Sequence, residues 1–128
     1  MPGNDPGRAR AARDKATMAE AFAMAGVRAP YTVLARDDAG LRAALADPQV
    51  GFPCVVKPRT AARSAGVTVV TSPADATTAA DAAREAVGMY GSSGHPGILV
   101  QAYAAGAEYS VESLTQDGTT LHLAVTRK

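Results

Sequence analysis

At 128 residues the chain has the size of one domain, or of one piece of a larger one, and can bury roughly two thirds of its unfolded surface. Thirteen basic and 12 acidic residues leave a formal charge of +1, which argues against a general nucleic-acid or membrane-surface binder. Hydrophobic residues make up 47% and aromatics only 5%, so a thin core of small side chains and modest stability are expected. The single cysteine, Cys54, lies in an apolar run and cannot form an internal disulfide, which fits a reducing cytoplasm. No apolar run is long enough to span a bilayer, and the N-terminus lacks the apolar core of a signal peptide. The expectation is a soluble, cytoplasmic domain.

In chain order, Asn4-Asp5-Pro6 is a helix start with Asp5 as N-cap and Pro6 at the first helical position. The helix is expected to run to about Ala25, with Gly26 as its stop and Ala11, Met18, Phe22 and Ala25 as its buried stripe. A short strand follows at Tyr31 to Leu34. Asp37 caps a second helix that turns Leu41, Ala44 and Leu45 inward and ends before Pro48. The stretch from Phe52 to Pro58 reads as an apolar strand, Arg59 to Ala65 as a loop and Gly66 to Val70 as a second strand. Ser72-Pro73-Ala74-Asp75 signals another helix start, with Ala76, Ala80, Ala83 and Val87 on one face. Gly88 to Gly97 reads as an exposed loop and Ile98 to Tyr103 as a strand. Tyr109 to Leu114 and Leu121 to Val125 form a hairpin around Asp117-Gly118. A two-residue loop pairs Glu112 with Leu123; a loop one residue longer pairs Val111 with Val125 and separates the faces better. The sequence leaves both registers open. Early helices and short strand connections indicate an α+β fold, a mainly antiparallel sheet flanked by helices.

The lysine-bearing strand and its loop carry the chemistry. A desolvated ammonium needs a partner, so a lysine ending a buried strand calls for a reason. A loop of Thr60, Ala61, Ala62, Ser64, Ala65 and Gly66 brings backbone close to a ligand, and its N–H groups can converge on an anion. The loop lacks the P-loop and dinucleotide fingerprints, and alone it is equally a flexible connection. His95 and His122 have no carboxylate or cysteine at metal-ligand spacing, so no metal site is expected. Cys54 reads as a small core residue.

Taken together, Asp14-Lys15, the Pro53-to-Pro58 strand with Lys57, Ser64-Ala65-Gly66-Val67, Leu99-Val100-Gln101-Ala102-Tyr103 and Gly106-Ala107-Glu108-Tyr109-Ser110-Val111-Glu112 occur in one order. In that order the chain resembles the ATP-grasp superfamily, above all carboxylate–amine ligases of the L-amino acid ligase kind, from about Asp14 to Lys128. The resemblance implies that Lys15 and Lys57 contact ATP phosphates and that the loop from Thr60, with Arg63, Ser64 and Gly66, closes over the β- and γ-phosphates. It implies that Gln101, Ala102, Tyr103 and Ala104 read the adenine edge and that Glu108 accepts hydrogen bonds from the ribose. A phosphate chain suits point charges and backbone donors, and a vicinal diol suits a carboxylate. Gln101 stands where many relatives have glutamate. Arg59 and Arg63 either add phosphate charge or are simply solvated. Glu112 reaches the site or sits on the solvent face, with the solvent face favoured, and Lys128 aligns with a substrate-side lysine.

The implied function is ATP binding within a carboxylate–amine or carboxylate–thiol ligase that works through an acyl phosphate. The partners would be ATP and a small carboxylate, with no nucleic acid or membrane, and the resemblance allows a homodimer of the full-length form. It places Mg²⁺ ligands beyond Lys128, so the chain reads as an inactive cut from a longer protein with no catalytic residue of its own. Its expected divisions are a leading helix and linker over 1–30, a lid-type α+β subdomain over 31–104 and the start of the second lobe over 105–128. Two other readings stay open: a non-catalytic nucleotide-binding or regulatory module, and an α+β protein-interaction domain.

Overall fold

A computed structural model describes residues 5–61, 63–89 and 97–128. Four strands, β1 (Thr32–Ala35), β2 (Cys54–Pro58), β3 (Thr68–Val70) and β4 (Ile98–Ala102), form one sheet in the order β1-β4-β2-β3, and every pairing is antiparallel. The expected α+β architecture is the one observed. One face of the sheet is covered by α3 (Asp38–Ala46) and α4 (Ala76–Met89). Along β2 burial alternates: Cys54, Val56 and Pro58 are buried, whereas Val55 and Lys57 are half-buried. The period of two sends the first set toward α4 and the second to the opposite face. The covered face packs Val56, Val70, Ile98 and Val100 against Leu41 and Ala44 of α3 and Ala76, Ala79, Ala80 and Ala83 of α4. Alanine at each contact lets α4 lie close to the sheet, which is what the small-residue composition supplies.

Asp37 caps α3 as expected, its carboxylate accepting from Gly40 N–H at 2.7 Å. Ser72 does not cap α4. Its hydroxyl donates to Asp75 Oδ2 at 2.9 Å, and the helix opens through a 3-10 turn, Pro73–Asp75. The helix runs on through Met89, further than expected; residues 90–96 of the Gly88–Gly97 loop, with His95, lie outside the described residues, as does Asn4.

The single N-terminal helix is corrected to two, α1 (Pro6–Arg13) and α2 (Lys15–Met24). The break is Asp14, which is extended (φ −96°, ψ 107°) and accepts from the N–H groups of Ala16 and Thr17. A short carboxylate that satisfies free helix donors begins a new helix rather than continuing the old one. The buried stripe is corrected too: Ala16 is buried in the first turn of α2, whereas Phe22 and Ala25 are exposed and Met18 is half-buried. Burial in α2 is concentrated toward its start, and from Glu20 on its residues are exposed. The side chain of Ala11 lies outside the described residues. Gly26 ends α2 as expected, with φ +67°.

Strands β5 (Tyr109–Gln116) and β6 (Thr119–Arg127) form a separate hairpin. Asp117 and Gly118 both have positive φ, the requirement of a two-residue type I′ turn. The two registers left open by the sequence both occur. Near the turn Ser113 pairs with His122; beyond an irregularity at Glu112/Ser113, Glu112 pairs with Ala124 and Val111 with Val125. Leu123 is the additional residue that joins them, as in a β-bulge.

Candidate functional site

Lys57 lies on the sheet face opposite α4, where β4 contributes Leu99 and Gln101 and β1 contributes Thr32. Its ammonium donates to Gln101 Oε1 at 2.7 Å. Gln101 Nε2 in turn donates to Thr32 Oγ1 at 2.7 Å, and that hydroxyl donates to the Pro30 carbonyl at 2.9 Å. The partner that a desolvated lysine requires is therefore a neutral amide. Burial, and then repulsion from Lys15, push the Lys57 ammonium below the usual lysine range. Lys15 is lowered by burial as well, partly offset by the adjacent Asp14 carboxylate. Both ammonium groups are thus partly desolvated, and Lys57 lies within the field of Lys15.

Lys15 is placed by α2 and the start of the loop together. Its N–H donates to the Arg59 carbonyl at 3.1 Å and its Nζ to the Ala61 carbonyl at 3.0 Å. The Arg59 guanidinium meets the Asp14 carboxylate through Nε at 2.8 Å to each oxygen and Nη2 at 2.7 Å to Oδ2. Both side chains are nearly buried, 13% and 11% exposed. The hydrogen bond from Arg59, with the N–H groups of Thr17 and Ala16, holds the Asp14 carboxyl below its usual range, and Asp14 raises Arg59. Arg59 is therefore neither solvated nor free for a phosphate; it ties α2 to the exit of β2.

In the loop that follows, Thr60 Oγ1 is the one buried side-chain nitrogen or oxygen among the described residues without a hydrogen-bond partner. Arg63 and Ser64 are exposed and both have left-handed φ, 57° and 56°. Gly66, at φ +66°, abuts α4 so closely that a Cβ there would lie 2.8 Å from Ala86 Cβ and 2.9 Å from both Ala82 O and Ala83 Cα. Ala62 lies outside the described residues.

Ala102 closes β4, its N–H donating to the Tyr31 carbonyl at 2.8 Å, and Tyr103 and Ala104 are exposed beyond it. Glu108 opens the hairpin and meets Lys128 Nζ at 2.7 Å, with both groups exposed. Glu112 is exposed, as are nearly all residues of both hairpin strands, and Cys54 is fully buried. The structure thus joins Lys15, Lys57 and Gln101, and no hydrogen bond or ion pair among the described residues links Glu108 to the two lysines. Thr32 and the Asp14–Arg59 pair were missed by sequence reasoning. Asp14 had a readable signal, since an aspartate eight residues into a helical pattern is better placed at a cap than in an interior. Thr32 had none, because Gln101, whose amide donates to it, is 69 residues away. Among the described residues no group of three or more His, Cys, Asp or Glu could hold a metal ion, and no helix is long and apolar enough to cross a membrane.

A half-buried lysine of β2, a partly desolvated lysine of α2 whose charge acts on it, and a loop of small residues with an unpartnered hydroxyl are complementary to an anion, on an antiparallel α+β scaffold. Residues 50–128 match the model of the ATP-grasp domain family, and the chain belongs to that family. Its fold is similar to that of the D-alanine–D-alanine ligase from Helicobacter pylori, with a TM-score of 0.70 at 20% identity over 90% of this chain. The match covers 32% of the ligase, so the chain spans about a third of that protein's length. A search of curated protein sequences gave no significant match.

Proposed function

We propose that the chain binds ATP on the sheet face that carries Lys57, as the nucleotide-binding portion of an ATP-dependent carboxylate–amine or carboxylate–thiol ligase. The observation that carries this reading is the state of Lys57: half-buried, repelled by Lys15 and, among the described residues, paired only with a neutral amide. A polyanion relieves that repulsion and restores the charge balance, and a phosphate chain supplies it. The unpartnered Thr60 hydroxyl adds a donor at the start of the loop, so the residues present fit a phosphate. In this reading Ala102 to Ala104 meet the adenine edge, Glu108 turns from Lys128 to the ribose, and Arg63, Ser64 and Gly66 belong to the covering loop. Residues 31–104 then act as the lid and 105–128 as the start of a second lobe.

In ligase chemistry of this kind a carboxylate oxygen takes the γ-phosphoryl group with release of ADP, and an amine or thiol then displaces phosphate from the acyl carbon. The residues of this chain contribute positioning and charge stabilisation. Magnesium would supply charge neutralisation at the phosphates, and among the described residues no group of three or more His, Cys, Asp or Glu could hold it; the chain by itself is proposed to bind without turnover. A small carboxylate as second substrate, a cytoplasmic setting and a homodimer of the full-length form belong to the same proposal. Lys57→Ala removes a charge-assisted contact and is expected to weaken ATP binding about 10- to 100-fold, read by titration calorimetry. Unchanged affinity in that variant would overturn the phosphate assignment.

A further inference from the structure

We propose that Thr32 is a positioning residue for the phosphate-facing lysine, acting through Gln101. An ammonium only donates, so the Gln101 atom that faces Lys57 is the carbonyl oxygen, and the amide nitrogen must find an acceptor on its other side. Thr32 Oγ1 is that acceptor, and it is available because its own proton goes to the Pro30 carbonyl. The donors run in one direction, from Lys57 to Gln101 to Thr32 to the carbonyl of residue 30, and each bond fixes the sense of the next. Without the hydroxyl, Nε2 loses its partner and the amide is free to flip. A flipped amide presents N–H groups to an ammonium that is already repelled by Lys15, the charged neighbour from α2.

The arrangement also explains what a glutamine achieves where a carboxylate would be the simpler partner for lysine. A carboxylate would form an ion pair and cancel the charge; the locked amide orients Lys57 and leaves its charge for an anion. This inference rests on the ATP reading for its consequence but not for its geometry, and the test separates the two. The probes are inorganic tripolyphosphate and ATP by calorimetry, together with NMR titration of the Lys57 ammonium in the ligand-free protein. Thr32→Val is expected to lower affinity for both probes by a similar factor, about 5-fold for one neutral hydrogen bond. It is also expected to lower the Lys57 pKa, while Thr32→Ser, which keeps the hydroxyl, stays near wild type in both readouts. Gln101→Glu is expected to raise the Lys57 pKa. A Thr32→Val protein that is folded, with an unchanged Lys57 titration, would overturn the positioning role whatever the affinities. Wild-type protein that binds neither probe would overturn the ATP reading, and the Lys57 titrations in the two Thr32 variants would still decide the role of Thr32.

Discussion

Asp14→Ala is expected to destabilise the protein by about 3–5 kcal/mol, a large part of what a domain of this size has. The carboxylate does two things at once. It accepts from the N–H groups of Ala16 and Thr17 at the start of α2, and it neutralises a nearly buried Arg59 through three contacts of 2.7–2.8 Å. Removing it leaves the guanidinium buried and unpaired, which is the costly half of breaking such a pair. Asp14→Asn retains a good cap, so the difference between Asn and Ala isolates the cap at about 1 kcal/mol. Replacing both partners, as in Asp14→Leu with Arg59→Met, is expected to cost less than Asp14→Ala alone. Urea unfolding measures all three variants, and a loss below about 1 kcal/mol for Asp14→Ala would contradict the account of the pair.

The same pair sets a pH dependence. The folded carboxyl is held below the ordinary aspartate value of 3.8 that it regains on unfolding. The unfolded chain therefore binds the proton more readily, so this contribution is complete above the unfolded value and is lost as pH falls through the folded one. Wild type should lose stability across that acid range more steeply than Asp14→Ala does. Parallel curves for the two would place the dependence elsewhere.

Gly66→Ala is the second large effect, about 2–5 kcal/mol. A left-handed φ costs an alanine about 1–2 kcal/mol, and overpacking against a rigid helix adds about 1–3. Two of the three nearest atoms are backbone of α4, Ala82 O and Ala83 Cα at 2.9 Å, and cannot swing aside as a side-chain tip would. The loop must lift off the helix or the helix off the sheet. Either way the loop from Thr60 moves, so on the proposed ATP reading a loss of ATP affinity should accompany the loss of stability. A variant within about 0.5 kcal/mol of wild type, with unchanged affinity, would show that this end of the loop is not anchored on α4. Gly66 therefore supports the loop from below and need not touch the nucleotide to matter to it.

The parts of the fold that were legible in the sequence are those written in local patterns. The apolar strand β2, the Asp37 cap, the Asp117-Gly118 turn and the alanine face of α4 each follow from a few neighbouring residues. The helix break at Asp14 was masked because Asp5-Pro6 offers a strong start and the residues after it are good helix formers, although the aspartate itself is a cap signal; the distant Arg59 reinforces the second start. The hairpin register was open because both alternatives are partly right, and a bulge reconciles them. In the site, Lys57 and Lys15 stood out by type and order. What Gln101 touches could not be read, since its partners come from β1 and β2, 69 and 44 residues away. Charge and small residues mark where an anion fits, while the orientation of each group is a tertiary property.

The most direct test of the central claim is an NMR titration of the protein with ATP, following every backbone amide. The account predicts that the largest shifts fall on Lys15, Lys57, the loop from Thr60 to Gly66 and the segment from Ala102 to Glu108, while the turn at Asp117-Gly118 and the outer surface of α3 stay still. Shifts centred on α3 and α4, or none at ATP concentrations well above the millimolar range, would contradict it.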